Sequence, residues 1–409
     1  MKNHQQIMKY SALAVSFTLL ATAYCFSQSG TFEKTLGEMK YYNRGNQVIH
    51  TSDGGYAIIG RTVRFDEKSG VDAYLVKTNA LGEIQWTKTY GGRGSEEGYS
   101  IVQTKDGGFT FAGYTNTVDN NTLDVYVVHT GSRGELLWSK NYGGTGIERG
   151  YSISLTRDGG YIVSGETYSY ECGGVNAYVI KLNEKGDTLW SDHFGGRGIE
   201  EGRSVFETSD GNFIVTGATN SFDGGDYDIY LIKLNKDGKL LWTQTFGGTG
   251  NEQGMAIIET EDSSYAIVGY TESYGSGSSD VYFVLTDNNG NLKWAKTFGG
   301  GYDDSGASIQ ETAGGGFIIA GNSNSFDNSM GVEIFLVRTD ALGEAMWTKT
   351  YGQKSDEYGN SVCQSRDGGF VVTGNSVINH SNGKNETEKL KQIYFMKTDP
   401  KGNVEAVRE

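Results

Sequence analysis

One proline, Pro400, stands in 409 residues, beside 61 glycines. A disordered or collagen-like chain would carry far more proline, so the glycine here is turn chemistry. Histidine is scarce: His4 is followed by only His50, His129, His193 and His380. Their spacing offers no Ser–His–Asp triad and no His/Cys metal set. Cysteine is limited to Cys25, Cys172 and Cys363. Basic residues are outnumbered, with a formal charge of −15, which disfavours nucleic acid and anionic membrane surfaces as partners.

Long apolar runs are missing except for Ala12 to Phe26, which follows Lys2 and Lys9. That run is too short for a transmembrane anchor and reads as an export signal covering residues 1–27, with cleavage near Ser27. Its removal takes away two lysines and no acid, so −15 becomes −17 in the remaining 28–409 domain. Thr22-Ala23-Tyr24-Cys25 loosely matches a lipobox, and a lipid anchor at Cys25 is the alternative. Either way the expected location is exported: periplasmic, cell-surface or extracellular.

What is present is a repeat. The six tryptophans are Trp86, Trp138, Trp190, Trp242, Trp294 and Trp347, spaced 52, 52, 52, 52 and 53 residues apart. A period near 50 built from short β-type segments predicts a β-propeller with about one four-stranded blade per repeat. In the fourth repeat the Trp242 strand leads into Thr249-Gly250-Asn251-Glu252-Gln253-Gly254, read as a glycine-rich loop with a central acid. Strands are expected at Met255 to Thr260, Tyr265 to Thr271 and Asp280 to Leu285. The tight turn is Asp-Gly-Gly at Asp53, Asp106, Asp158 and Asp367, where glycine accepts a positive φ without steric cost. With its variants, including Gly314-Gly315-Gly316, this turn occurs seven times. The expectation is all-β, a seven-bladed β-propeller of four-stranded antiparallel blades. Phe32 to Gly37 aligns with a Trp strand and is expected to close the last blade from the N-terminus. Cys172 and Cys363 fall in the third and seventh repeats, so no disulfide is expected.

Both faces of Asp228-Ile229-Tyr230-Leu231-Ile232 are apolar, as in a sheet covered on both sides. The six tryptophans, at one structural position, are therefore expected to pack blade on blade. Two rings of carboxylates fall on the face that also carries the variable loops. One comprises Glu96, Glu148, Glu200, Glu252, Asp304 and Glu357, with Asn43 in the first repeat. The other comprises Asp72, Asp124, Asp228, Asp280 and Glu333, with Asn176 and Gln392. Such acids suit a cation or a basic partner, or else each accepts backbone N–H groups and fixes its own loop. Repetition in nearly every blade favours the second. Asp223, Asp226 and Asp228 are dense enough to raise Ca²⁺ as a possible ligand, without the spacing of an EF-hand loop.

The pattern Trp-x-Lys-x-Tyr-Gly-Gly-x-Gly-x-Glu-x-Gly, then Thr-x-Asp-Gly-Gly-Phe, then Asp-x-Tyr-x-x-Lys, resembles secreted and lipoprotein β-propellers of Bacteroidetes-type bacteria across residues 32 to 402. The strand order resembles that of WD-repeat proteins, which implies that the Trp strand is outermost and Ser100-Ile101-Val102-Gln103 innermost. Gly186-Asp187-Thr188-Leu189-Trp190 resembles the docking motif of quinoprotein propellers, which implies Trp docking between blades without supporting a quinone cofactor. These resemblances lend fold and compartment. The function expected is a non-enzymatic binding or scaffold module, with a protein or glycan partner held by the variable loops. The alternatives are a polysaccharide hydrolase or lyase with carboxylates at the channel mouth, and a Ca²⁺-stabilised envelope scaffold.

Overall fold

The structure is a computed structural model that describes residues 30–37, 41–64, 70–116, 122–170, 174–222, 226–326, 331–352, 355–381 and 387–404. The leader, Cys25, Cys172 and Asp223 lie outside the described residues. No helix among the described residues is long and apolar enough to cross a membrane.

Among the described residues, twenty-eight strands form five four-stranded antiparallel sheets and one of eight strands. The eight-stranded sheet is two four-stranded meanders, Tyr41–His50 through Ile84–Tyr90 and Ser95–Gln103 through Leu136–Tyr142, joined by the single parallel bridge Val71↔Ser95. The same short link recurs between other sheets as Val175↔Ile199 and Ser279↔Asp303. It is therefore a junction contact, and the strands divide into seven units of four. One unit uses both chain ends: Phe32–Leu36 pairs antiparallel with Thr387–Lys397, from Phe32↔Lys397 to Leu36↔Ile393.

Within each unit the first strand of the meander is innermost, and these strands contact one another around a ring, Tyr41–His50 meeting Glu357–Gln364 at the close. The apolar core is divided among the junctions. Ile229 and Leu231 pack with Ile257 and Ile267 of the next unit, while Tyr230 and Ile232 pack with Ala177 and Val179 of the preceding one. Two-sided burial explains why these strands lack clean alternation.

The glycine-acid segment corrects the sequence reading. Its second half, Glu252-Gln253-Gly254, opens the innermost strand, which begins at Glu252 and not at Met255, while Thr249 to Asn251 stay outside it. Its glycine serves close approach: a Cβ on Gly98 would come within 2.4 Å of the Ile59 side chain. A β-bulge follows, between Gly98 and Ser100, and recurs in the other six units. Beyond it, a side chain of one innermost strand accepts an N–H of the next. Ile153 N–H donates to Ser100 Oγ at 3.1 Å, Val205 N–H to Ser152 Oγ at 3.3 Å and Ile101 N–H to Gln47 Oε1 at 2.6 Å. These bonds satisfy donors on a sheet edge that faces a central cavity of about 450 Å³.

The tryptophans sit at the junctions between units. Each lies against a positive-φ glycine of the following unit, Trp86 on Gly134, Trp138 on Gly186, Trp190 on Gly238, Trp242 on Gly290, Trp294 on Gly343 and Trp347 on Gly402.

Candidate functional site at the channel entrance

The acids of the first ring open the innermost strands and are buried, with Glu148, Glu200 and Glu252 fully so. Each is held by its own surroundings. Glu96 accepts from Thr115 Oγ1 at 2.8 Å and Gly92 N–H at 3.1 Å. Glu148 and Glu200 take the same two partners, Thr167 with Gly144 and Thr219 with Gly196. Glu252 is bound by Thr271 and Gly248, Asp304 by Ser325 and Gly300, and Glu357 by Ser376.

The second ring meets the first. Around Gly91, a Cβ would stand 2.2 Å from Asp72 Oδ1 and 2.4 Å from Glu96 Oε2. Gly143 sits likewise between Asp124 and Glu148, Gly247 between Asp228 and Glu252, and Gly299 between Asp280 and Asp304. Where the chain has amides instead, at Asn43 and Gln392, they bond directly, Asn43 Nδ2 donating to Gln392 Oε1 at 2.9 Å. Burial pushes the Glu96 carboxyl up, Asp72 adds to the rise, and the bonds from Thr115 and Gly92 oppose it. Burial, then the Glu148 charge, raises Asp124.

Of the three acids weighed for Ca²⁺, Asp228 turns inward to Gly247 and Glu252 while Asp226 is exposed. No three His, Cys, Asp or Glu side chains among the described residues are grouped to hold a metal ion.

Sequence reasoning missed a second set of residues, one and three places after each ring acid. Here the repeats disagree: Arg44, Glu97, Arg149, Glu201, Gln253, Ser305 and Tyr358, then Asn46, Tyr99, Tyr151, Arg203, Met255, Ala307 and Asn360. Variation inside an otherwise repeated segment was the available signal. Charge and aromatic surface gather on the first four units. Arg61 Nη1 meets Glu97 Oε2 at 3.0 Å, Arg149 pairs with Glu166, and Arg203 Nε donates to Glu201 Oε2 at 2.6 Å. The Arg203 guanidinium lies 4.2 Å from the Tyr151 ring centre, and Tyr151 contacts Tyr99 at 5.5 Å. Burial pushes both tyrosine hydroxyls above their ordinary range.

Arg44 faces Arg61 across the strand pair, and the Nε of each is buried without a hydrogen-bond partner among the described residues. Juxtaposed like charges of this kind are unfavourable unless an acceptor compensates them, as Glu97 does for Arg61. In the sixth and seventh units the corresponding positions hold amides that bond to backbone. Asn322 Oδ1 accepts from Gly359 N–H, Asn375 Oδ1 from Gly45 N–H, and Asn360 Nδ2 donates to Gly45 O.

Solved structures share this architecture. Sqt1 of Chaetomium thermophilum superposes with a TM-score of 0.50 at 11% identity, over 85% of each chain. The WD40 domain of Neurospora crassa Pan2 also gives 0.50 at 11% identity, over 86% of this chain and 88% of that one. The fold is a WD40-like β-propeller. At such identity the likeness concerns fold alone.

In sequence, the chain is 27% identical to the regulatory protein FlaEY of Caulobacter vibrioides, in a match that covers 37% of this chain and 18% of that protein. It is 21% identical to an uncharacterized WD repeat-containing protein of Acanthamoeba polyphaga mimivirus, in a match that covers 51% of this chain and 22% of that protein. The chain thus spans about a fifth of the length of these curated relatives. No protein-family profile matches it.

Proposed function

We propose that this chain is an exported, non-catalytic propeller of seven blades that holds a protein partner over its channel entrance. The reading rests on one contrast. The acids repeated around the ring are engaged by their own blades, whereas the Arg–Tyr–Glu arc occupies only four blades and includes the Arg44–Arg61 pair. Rigid scaffold below and unequal side chains above is how recognition surfaces are built. Tyrosine and arginine are the residues enriched where binding energy concentrates. The arginine excess suits a carboxylate-bearing segment on the partner. Glu97, Glu166 and Glu201 are each tied to an arginine, so they are better explained as orienting groups than as a hydrolase pair.

The test places a photo-crosslinking residue at Tyr99 of the full chain and exposes cells carrying it. A defined adduct should form, and it should vanish when Arg44→Glu and Arg203→Glu are added. An adduct of the same size and yield from the charge-reversed protein would overturn the reading.

A further inference from the structure

On the face opposite the channel entrance, two devices recur at several of the junctions. The first is an ion pair under the tight turn. Lys77 meets Asp53 at 2.8 Å, Lys181 meets Asp158 at 2.8 Å, Lys233 meets Asp210 at 3.2 Å and Lys397 meets Asp367 at 2.6 Å. The second is the last side chain of the innermost strand, which accepts an N–H from the turn of the preceding unit. Gln103 takes Ser52 N–H at 2.8 Å, Glu207 takes Arg157 N–H at 2.7 Å, Glu259 takes Ser209 N–H at 2.6 Å and Gln364 takes Ala313 N–H at 2.9 Å.

At the junction of the second and third units both devices are replaced together. His129 stands where those blades have lysine, and Leu155 stands where the neighbours have glutamine or glutamate. Both residues line a cavity of about 650 Å³, well within the range of small-ligand sites. Its apolar wall is the Trp138 indole with Tyr161, Leu137 and Leu155, and the His129 ring lies 5.3 Å from Trp138.

The chemistry of the wall is specific. Thr110 Oγ1 donates to Tyr161 OH at 3.0 Å and lies 2.8 Å from His129 Nδ1. Thr110 thus engages Nδ1, and Nε2 is the ring nitrogen left for a ligand, as acceptor or donor according to the tautomer. Burial holds His129 below its ordinary range, against the pull of Asp106, so the ring is neutral at neutral pH. The charged rim is balanced, Lys105, Arg157 and Lys185 against Asp106, Asp158 and Glu184. A ligand of net charge of either sign therefore gains little there. A neutral ring with apolar C–H faces and several hydroxyls, which both donate and accept, matches an aromatic floor, an imidazole nitrogen and a rim of mixed donors and acceptors.

We propose that the cavity beneath Trp138, opened by His129 and Leu155, is a binding site for a neutral saccharide. The site is independent of the channel-entrance reading, because no residue is shared and the two lie on opposite faces.

The experiment is saturation-transfer-difference NMR on the full chain with a panel of cellobiose, maltose, lactose, mannobiose and chitobiose. Transfer to the ring C–H protons of at least one disaccharide is expected. The same measurement on a His129→Lys, Leu155→Glu double variant should lose it. These changes restore the repeat's own ion pair and bridge, so the variant should melt at or above the temperature of the parent. Trp138→Phe, which keeps a packed ring, should weaken binding by at least about tenfold. No transfer from any sugar would overturn the proposal, as would transfer undiminished in the double variant.

Discussion

Phe32 lies against Gly82 as each tryptophan lies against its glycine elsewhere: a Cβ on Gly82 would fall 2.7 Å from the Phe32 ring. The phenylalanine comes from the closing strand and the glycine from the first unit, so this contact completes the series of dockings around the ring. Phe32→Ala should cost about 3–5 kcal/mol, and Phe32→Trp should be tolerated. Denaturant unfolding followed by intrinsic fluorescence checks both. A loss well under 1 kcal/mol in the alanine variant would mean that the closing strand is not anchored through this ring.

Adjacent glycines should behave differently. A Cβ on Gly91 enters the space between Asp72 and Glu96, whereas one on Gly92 meets nothing within 4 Å. Gly91→Ala should destabilise by about 1–3 kcal/mol, as overpacking does. Gly92→Ala should stay within about 0.5 kcal/mol of the parent. Equal melting temperatures for the two variants would contradict the cradle around Gly91.

Removal of the Ser100 hydroxyl leaves the Ile153 amide without its acceptor. A buried unsatisfied donor costs about 1–3 kcal/mol. Ser100→Ala should show that loss in chemical denaturation, together with faster hydrogen exchange at the Ile153 amide. Unchanged exchange there would show that the hydroxyl is dispensable.

Two carboxylates should respond to pH in opposite senses. Burial acts to raise Asp158, but the Lys181 ammonium, the Thr156 hydroxyl and the Gly160 N–H outweigh it and hold the group at about 2. Its stabilisation is present above the unfolded value near 4 and is lost as pH falls from about 4 to about 2. The penalty of Asp158→Asn should therefore shrink towards zero across that window. Glu96 is raised, so its contribution is greatest below its unfolded value and declines as pH rises through the folded one. Glu96→Gln should accordingly compare better with the parent at pH 8 than at pH 4. Differences independent of pH in either variant would contradict these assignments.

The tryptophan period and the Asp-Gly-Gly turns made the sheets and their order legible, because hairpin chemistry and docking are local and repeat faithfully. The second half of the glycine-acid segment was misread as a loop. Glycine in a strand looks the same whether it permits a turn or lets Gly98 sit against Ile59, and only the neighbouring unit distinguishes the two. The Arg–Tyr–Glu arc was invisible to a search for what recurs, since Tyr99, Tyr151 and Arg203 are informative because they differ. His129 had been counted as scattered. It gains meaning only beside Lys77, Lys181 and Lys233, which occupy its place in other blades.

The Asn43–Gln392 bond joins residues 349 positions apart, whereas Thr115 and Glu96 are separated by 19. Most of this molecule can be assembled by each blade settling on the one just made, at a small loop-closure cost at every step. The seam where the chain meets its own beginning is different, because nothing there is held until the circle is nearly complete. Heat or mechanical load should open the circle at that seam first. A permuted chain whose new ends lie within another junction would carry the weak point with it, and the blades joined by Asn43 and Gln392 would then become as ordinary as the rest.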